Sequence, residues 1–81
     1  MTFEDFKDVH ENDSPCKKMQ VFCDEIISYA NSMAQIERAK GWRNENDARW
    51  WRKEAKAHAE RMVWLRDGIM TVLENYSHAE N

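Results

Sequence analysis

The sequence predicts an all-α fold: an antiparallel helical hairpin of two long helices with a short N-terminal helix, two copies dimerising into a four-helix arrangement. Three observations lead there. Only two Gly and one Pro occur in 81 residues, so little interrupts helix propagation. Small and apolar residues recur at helical spacing, most regularly at Ala48, Trp51, Ala55, His58, Met62, Leu65, Ile69, Val72 and Tyr76, which alternate three and four apart. Such spacing draws a narrow coiled-coil seam down one side of a helix, and a seam needs another helix to lie against. Helix start and stop signals then divide the chain into three pieces within one domain spanning 1–81.

The first piece is a helix over 3–10. Thr2 caps its amides, Asp5 stands three residues on, and Phe3, Phe6, Val9 and His10 line one side. Two turns do not persist alone, so this helix must dock on the longer ones, and the open end near Val72, Leu73 and Tyr76 is where it is expected. Ser14 followed by Pro15 starts the second helix, over 15–40, because Ser caps well and the missing N–H of Pro is harmless at the first position. Its expected seam is Met19, Phe22, Ile26, Tyr29, Met33 and Ile36, widened by Cys23 and Ala30. Gly41 is expected to take positive φ at its end, with Trp42 folding back on Ile36.

Asn44 caps the third helix, over 45–76, with Asp47 three residues on. A turn of about four residues between long helices makes them antiparallel neighbours. Trp51 is then expected over Met33 and Ile36, His58 beside Tyr29, Leu65 against Phe22 and Ile69 against Met19. Residues 77–81 have nothing to bury and are expected to fray.

A chain of 81 residues buries only about 60% of its unfolded surface, so association is a usual remedy for marginal stability. The balance of 42% hydrophobic and 33% charged residues is that of a folded helical protein. No apolar run is long enough for a signal peptide or a membrane span, and the expected location is cytoplasmic. Cys16 and Cys23 lie roughly 10 Å apart along a helix, too far for an internal disulfide, and are expected as small buried apolar residues. A net charge of −3 argues against both an acidic phosphate mimic and a strongly basic nucleic-acid binder.

No phosphate-binding loop, nucleophile elbow, Glu-x-x-His pair or inward carboxylate pair appears, so no catalytic residue, metal ligand or cofactor is assigned. His58 lies on the seam. Its neighbours there, Ala55 and Met62, with Tyr29 and Ile26 across the hairpin, do not form a zinc or iron set, so it is expected as a core histidine hydrogen-bonded to Tyr29.

Large apolar residues off the seam carry the functional reading. Trp50 and Trp64 stand fourteen residues apart on nearly one face, with Ala57 between them. A two-helix hairpin buries one stripe of each helix, so the rest is left for the short helix, a second copy or another partner, or is half-exposed beneath Arg and Lys stems. The expected docking face is Arg49, Trp50, Lys53, Ala57 and Trp64, on a homodimer that binds a larger protein and blocks a site on it. One alternative is nucleic-acid binding through the basic, Trp-containing run from Arg43 to Arg61. Against it, acids interleave with that run, and Glu45 with Arg49 and Lys56 with Glu60 form i,i+4 pairs. A purely structural oligomer is the other alternative.

A compact, acidic, Trp-rich helical protein of this size resembles the small accessory proteins of bacteriophages and prophages that bind host factors, anti-CRISPR proteins among them. That resemblance implies an inhibitor of a bacterial defence or regulatory complex.

Overall fold

The computed structural model describes the backbone of residues 1–80 and the side chains of residues 1–75. Three helices follow in order, α1 (Phe3–His10), α2 (Pro15–Gly41) and α3 (Glu45–Glu80). Each begins on the expected cap. The Asp5 amide donates to Thr2 Oγ1 at 3.1 Å while the Thr2 amide donates to the Asp5 carboxylate at 3.3 Å, a reciprocal box. Ser14 Oγ accepts from the Lys17 amide at 3.2 Å, and Asn44 Oδ1 from the Asp47 amide at 3.1 Å.

The end of α2 departs from expectation. Gly41 stays helical, and Arg43 takes the left-handed conformation with φ 56°. The Arg43 amide donates to the Lys40 carbonyl at 3.1 Å and the Asn44 amide to the Ala39 carbonyl at 2.8 Å, the two bonds of a Schellman motif. The reversal therefore sits two residues beyond Gly41, directly before the Asn44 cap that starts α3. Trp42 is 81% exposed instead of folding onto Ile36. Because a side chain is strained in this conformation, Arg43→Gly is expected to raise stability by about 0.5–1 kcal/mol, read as a higher urea midpoint. An unchanged or lower midpoint would contradict this account of the turn.

At the other end, α3 continues to Glu80, past the expected stop at Tyr76, since Ser77, His78, Ala79 and Glu80 include no helix breaker. Asn81, the last residue of the expected frayed tail, lies outside the described residues.

Helices α2 and α3 form the antiparallel hairpin, and α3 uses its expected stripe from Ala48 to Ile69; Val72 is exposed, and the side chain of Tyr76 lies outside the described residues. Ala48, Ala55 and Leu65 are buried, with Trp51, His58, Met62 and Ile69 half-buried beside them. On α2 the expected stripe is largely displaced. Ile26 and Met33 are each 41% exposed, Met19 is exposed, and Phe22 and Tyr29 are only half-buried. Ile36 is buried as expected, but the rest of the seam is made by Val21, Glu25, Ser32 and Ala39, a rotation of α2 by about one residue, roughly 100°. Two causes favour it. Small Ser32 and Ala39 let α2 lie close against Ala48 and Ala55, and Glu25 finds two cationic or hydrogen-bonding partners on α3.

The short helix docks in the middle of the hairpin and not at its open end, where Val72 and Leu73 remain exposed. The turn after His10 joins α1 to the start of α2 at the open end, so α1 lies antiparallel to α2 with Phe3 toward the middle of the hairpin and His10 toward its end. Phe6, 3% exposed, fills the notch between Val21 and Leu65, with its ring edge-on to Trp64 at 6.0 Å and under the Arg61 guanidinium at 4.9 Å. Val9, expected on the docked side, is exposed. His10 stacks on Phe6 at 4.6 Å, and its Nδ1 lies 2.7 Å from the Asp13 carboxylate, which ties the turn.

Candidate docking face on the third helix

Residues three and four apart on a helix share a face, and the outer face of α3 therefore gathers Asn46, Arg49, Trp50 and Lys53, with Arg52 and Lys56 on its edges. These six side chains line one shallow groove. Trp50 is 54% exposed at its centre, held edge-on against Trp51 with ring centroids 4.6 Å apart and planes at 86°. Trp51 is half-buried in the hairpin seam, so the exposed indole packs against a ring that is itself seated on α2.

The electrostatics of this groove differ from the sequence expectation. Neither Glu45 with Arg49 nor Lys56 with Glu60 is among the ion pairs of the described residues. Among the described residues Arg49, Arg52, Lys53 and Lys56 thus stand around the indole without a carboxylate partner, and no acid lines the groove.

The five-residue face expected from the sequence is split. Arg49, Trp50 and Lys53 come together, whereas Trp64 lies four turns away, roughly 21 Å along the helix, and is half-buried by α1. Phe6 meets its edge, and Lys18 Nζ lies 5.9 Å from its ring centroid. Ala57, between the two indoles, is half-buried. Trp64 also lines a second groove with Phe3, Val63 and Asp67, and Lys56 borders both grooves. What sequence reasoning misplaced is the docking position of α1, whose Phe6 packs on Trp64; the short turn between His10 and Pro15 was the available signal.

His58 is hydrogen-bonded, but to Glu25 and not to Tyr29. Its Nδ1 lies 2.5 Å from Glu25 Oε2, Arg61 Nη1 donates to Glu25 Oε1 at 3.5 Å, and Glu54 is 4.0 Å from Nε2. Glu25 is only 8% exposed, so a carboxylate buried in an apolar seam is satisfied from both of its oxygens. The hairpin register placed Ile26 and Tyr29 opposite His58; the partner is Glu25, one residue before Ile26, which also reaches Arg61. This cluster joins α2 to α3. Among the described residues no group of three or more His, Cys, Asp or Glu side chains is placed to hold a metal ion. Cys16 and Cys23, expected to be buried, are both exposed. No helix among the described residues is long and apolar enough to cross a membrane. Compared with protein-family models, curated proteins and solved structures, the chain finds no significant match.

Proposed function

We propose that this protein is a non-catalytic binding module that acts by occupying a site on a larger protein, with the Trp50 groove as its working surface and an acidic protein surface as its target. The observation that carries this reading is an exposed indole, edge-on to Trp51, inside a ring of four cations that have no carboxylate partner among the described residues. An indole that becomes desolvated at the centre of an interface supplies most of the affinity, and the surrounding cations steer an acidic partner and raise its on-rate. The groove sits on a long helix, so little ordering entropy opposes binding. In size and composition the chain resembles phage accessory proteins of the anti-CRISPR kind, and a blocker of a host complex is the form of the proposal that this likeness favours.

The same groove supports a second reading, single-stranded nucleic acid, because cations beside a stacking platform also hold a phosphate backbone and a base. The net charge of −3 weighs against it.

Capture of host proteins on immobilised wild-type protein and on Trp50→Ala tests the first reading. A specific partner is expected to bind the wild type and to lose about thirtyfold or more in affinity with Trp50→Ala, at unchanged helical circular dichroism. Equal capture by the two proteins would remove the proposal. Retention of labelled single-stranded DNA that falls steeply with salt and is lost on Lys53→Glu would favour the second reading.

A further inference from the structure

The molecule is too extended for its mass. Its radius of gyration is 15.9 Å, against about 11.7 Å for a compact domain of this length, and its principal extents are 56 × 23 × 14 Å. It exposes 6243 Å², where a compact monomer of 9.7 kDa exposes about 5,100 Å². The excess of about 1,100 Å² exceeds the roughly 800 Å² that each partner buries in a stable interface of standard size. A single layer of two helices has two flanks, and α1 covers only the one where Phe6 meets Val21.

On α2 lies an apolar stripe that the hairpin leaves largely uncovered: Met19, Cys23, Ile26, Ala30 and Met33 are exposed, with Phe22 and Tyr29 half-buried along its edge toward α3. Spaced three and four apart, these residues share one face, and Phe22 and Tyr29 continue it onto α3 through a groove with Ala59, Met62, Val63 and Arg66.

We infer that this stripe is the interface between two copies of the chain, with the two α2 helices paired antiparallel across a two-fold axis at Ile26. The stripe is complementary in size to its own reversed copy. About that axis Ile26 meets itself, Met19 meets the partner's Met33, Phe22 meets the partner's Ala30 and Cys23 meets the partner's Tyr29. Each bulky ring thus faces a small side chain, as close packing requires. A parallel pairing sets Phe22 on Phe22 and Ala30 on Ala30, a clash beside a void. Charge agrees with the antiparallel order. Glu37 falls against the partner's first turn of α2, which carries no acid of its own and presents the positive end of the helix dipole. An unrelated partner would not call for a stripe that mirrors itself. The interface uses α2 and leaves the Trp50 groove on α3 free, so it stands or falls independently of the binding role proposed above.

Sedimentation equilibrium of the full chain is expected to give twice the chain mass at about 20 µM, and Ile26→Glu to weaken association more than about a hundredfold by burying two like charges on the axis. Cysteine pairing tests the register even if that variant does not fold. In a Cys16→Ser, Cys23→Ala background, Met19→Cys and Met33→Cys chains are equilibrated together and oxidised. Cross-links are expected in the mixture and not in either variant alone. The proposal is overturned by a chain mass for the wild type at about 200 µM, by either variant cross-linking with itself, or by a mixture that stays uncross-linked.

Discussion

Leu65→Ala is expected to lower the free energy of unfolding by about 3–4 kcal/mol. Leu65 is 1% exposed and sits where all three helices meet, in contact with the Phe6 and Val21 cluster against which Phe22 and Trp64 pack. Removing its isobutyl group forfeits the transfer energy of the lost carbons and leaves a hole that three helix backbones cannot collapse to fill. Total stability for a domain this small is on the order of 4–12 kcal/mol, so the variant loses a large share of it. Urea denaturation followed at 222 nm measures the change. Leu65→Met, which conserves volume, is expected to lose less than about 1.5 kcal/mol. A loss below about 1 kcal/mol for Leu65→Ala would show that this junction is not the centre of the core.

Glu25→Ala is expected to lower stability by about 3 kcal/mol for a different reason. The carboxylate is the acceptor for both His58 and Arg61, and its removal leaves two donors facing an apolar seam. The figure sits at the low end for breaking a buried pair because the partner side chains retain 15% and 18% exposure and can recover some water. Replacing the whole network, with Glu25→Leu, His58→Leu and Arg61→Met together, is expected to return stability to within about 1 kcal/mol of the wild type or above it. A double-mutant cycle between Glu25→Ala and His58→Ala should give a coupling of about 1–2 kcal/mol. Strict additivity would mean that the contact contributes no interaction energy. Glu25 is one of the two features that favour the observed side of α2, the small Ser32 and Ala39 being the other, so the triple replacement tests how much of that choice rests on the polar contacts.

That competition explains where sequence reading succeeded and where it did not. The caps at Thr2, Ser14 and Asn44 and the bounds of α1 are local, since each depends on a side chain reaching an amide three residues away. The α3 seam was legible because Ala48, Ala55 and Leu65 leave one narrow inward stripe. Helix α2 carries two candidate stripes about one residue apart. One is more apolar; the other is smaller and contains Glu25. Periodicity favours the first, and the structure takes the second.

The docking face shows the same division. Arg49, Trp50 and Lys53 belong to adjacent turns of one helix, so spacing alone unites them. Trp64 shares their stripe, yet its surface is taken by Phe6, a residue more than fifty positions earlier in the chain.

Three helices, their starting caps, the hairpin reversal and the inward side of α3 follow from chemistry within a few residues, which the linear chain contains in full. Which side of α2 turns inward, where α1 comes to rest and which indole stays uncovered depend on the sizes and charges that each helix meets across the hairpin. Those are pairwise terms between distant residues, and they take their values only when Glu25 reaches His58 and Phe6 reaches Leu65.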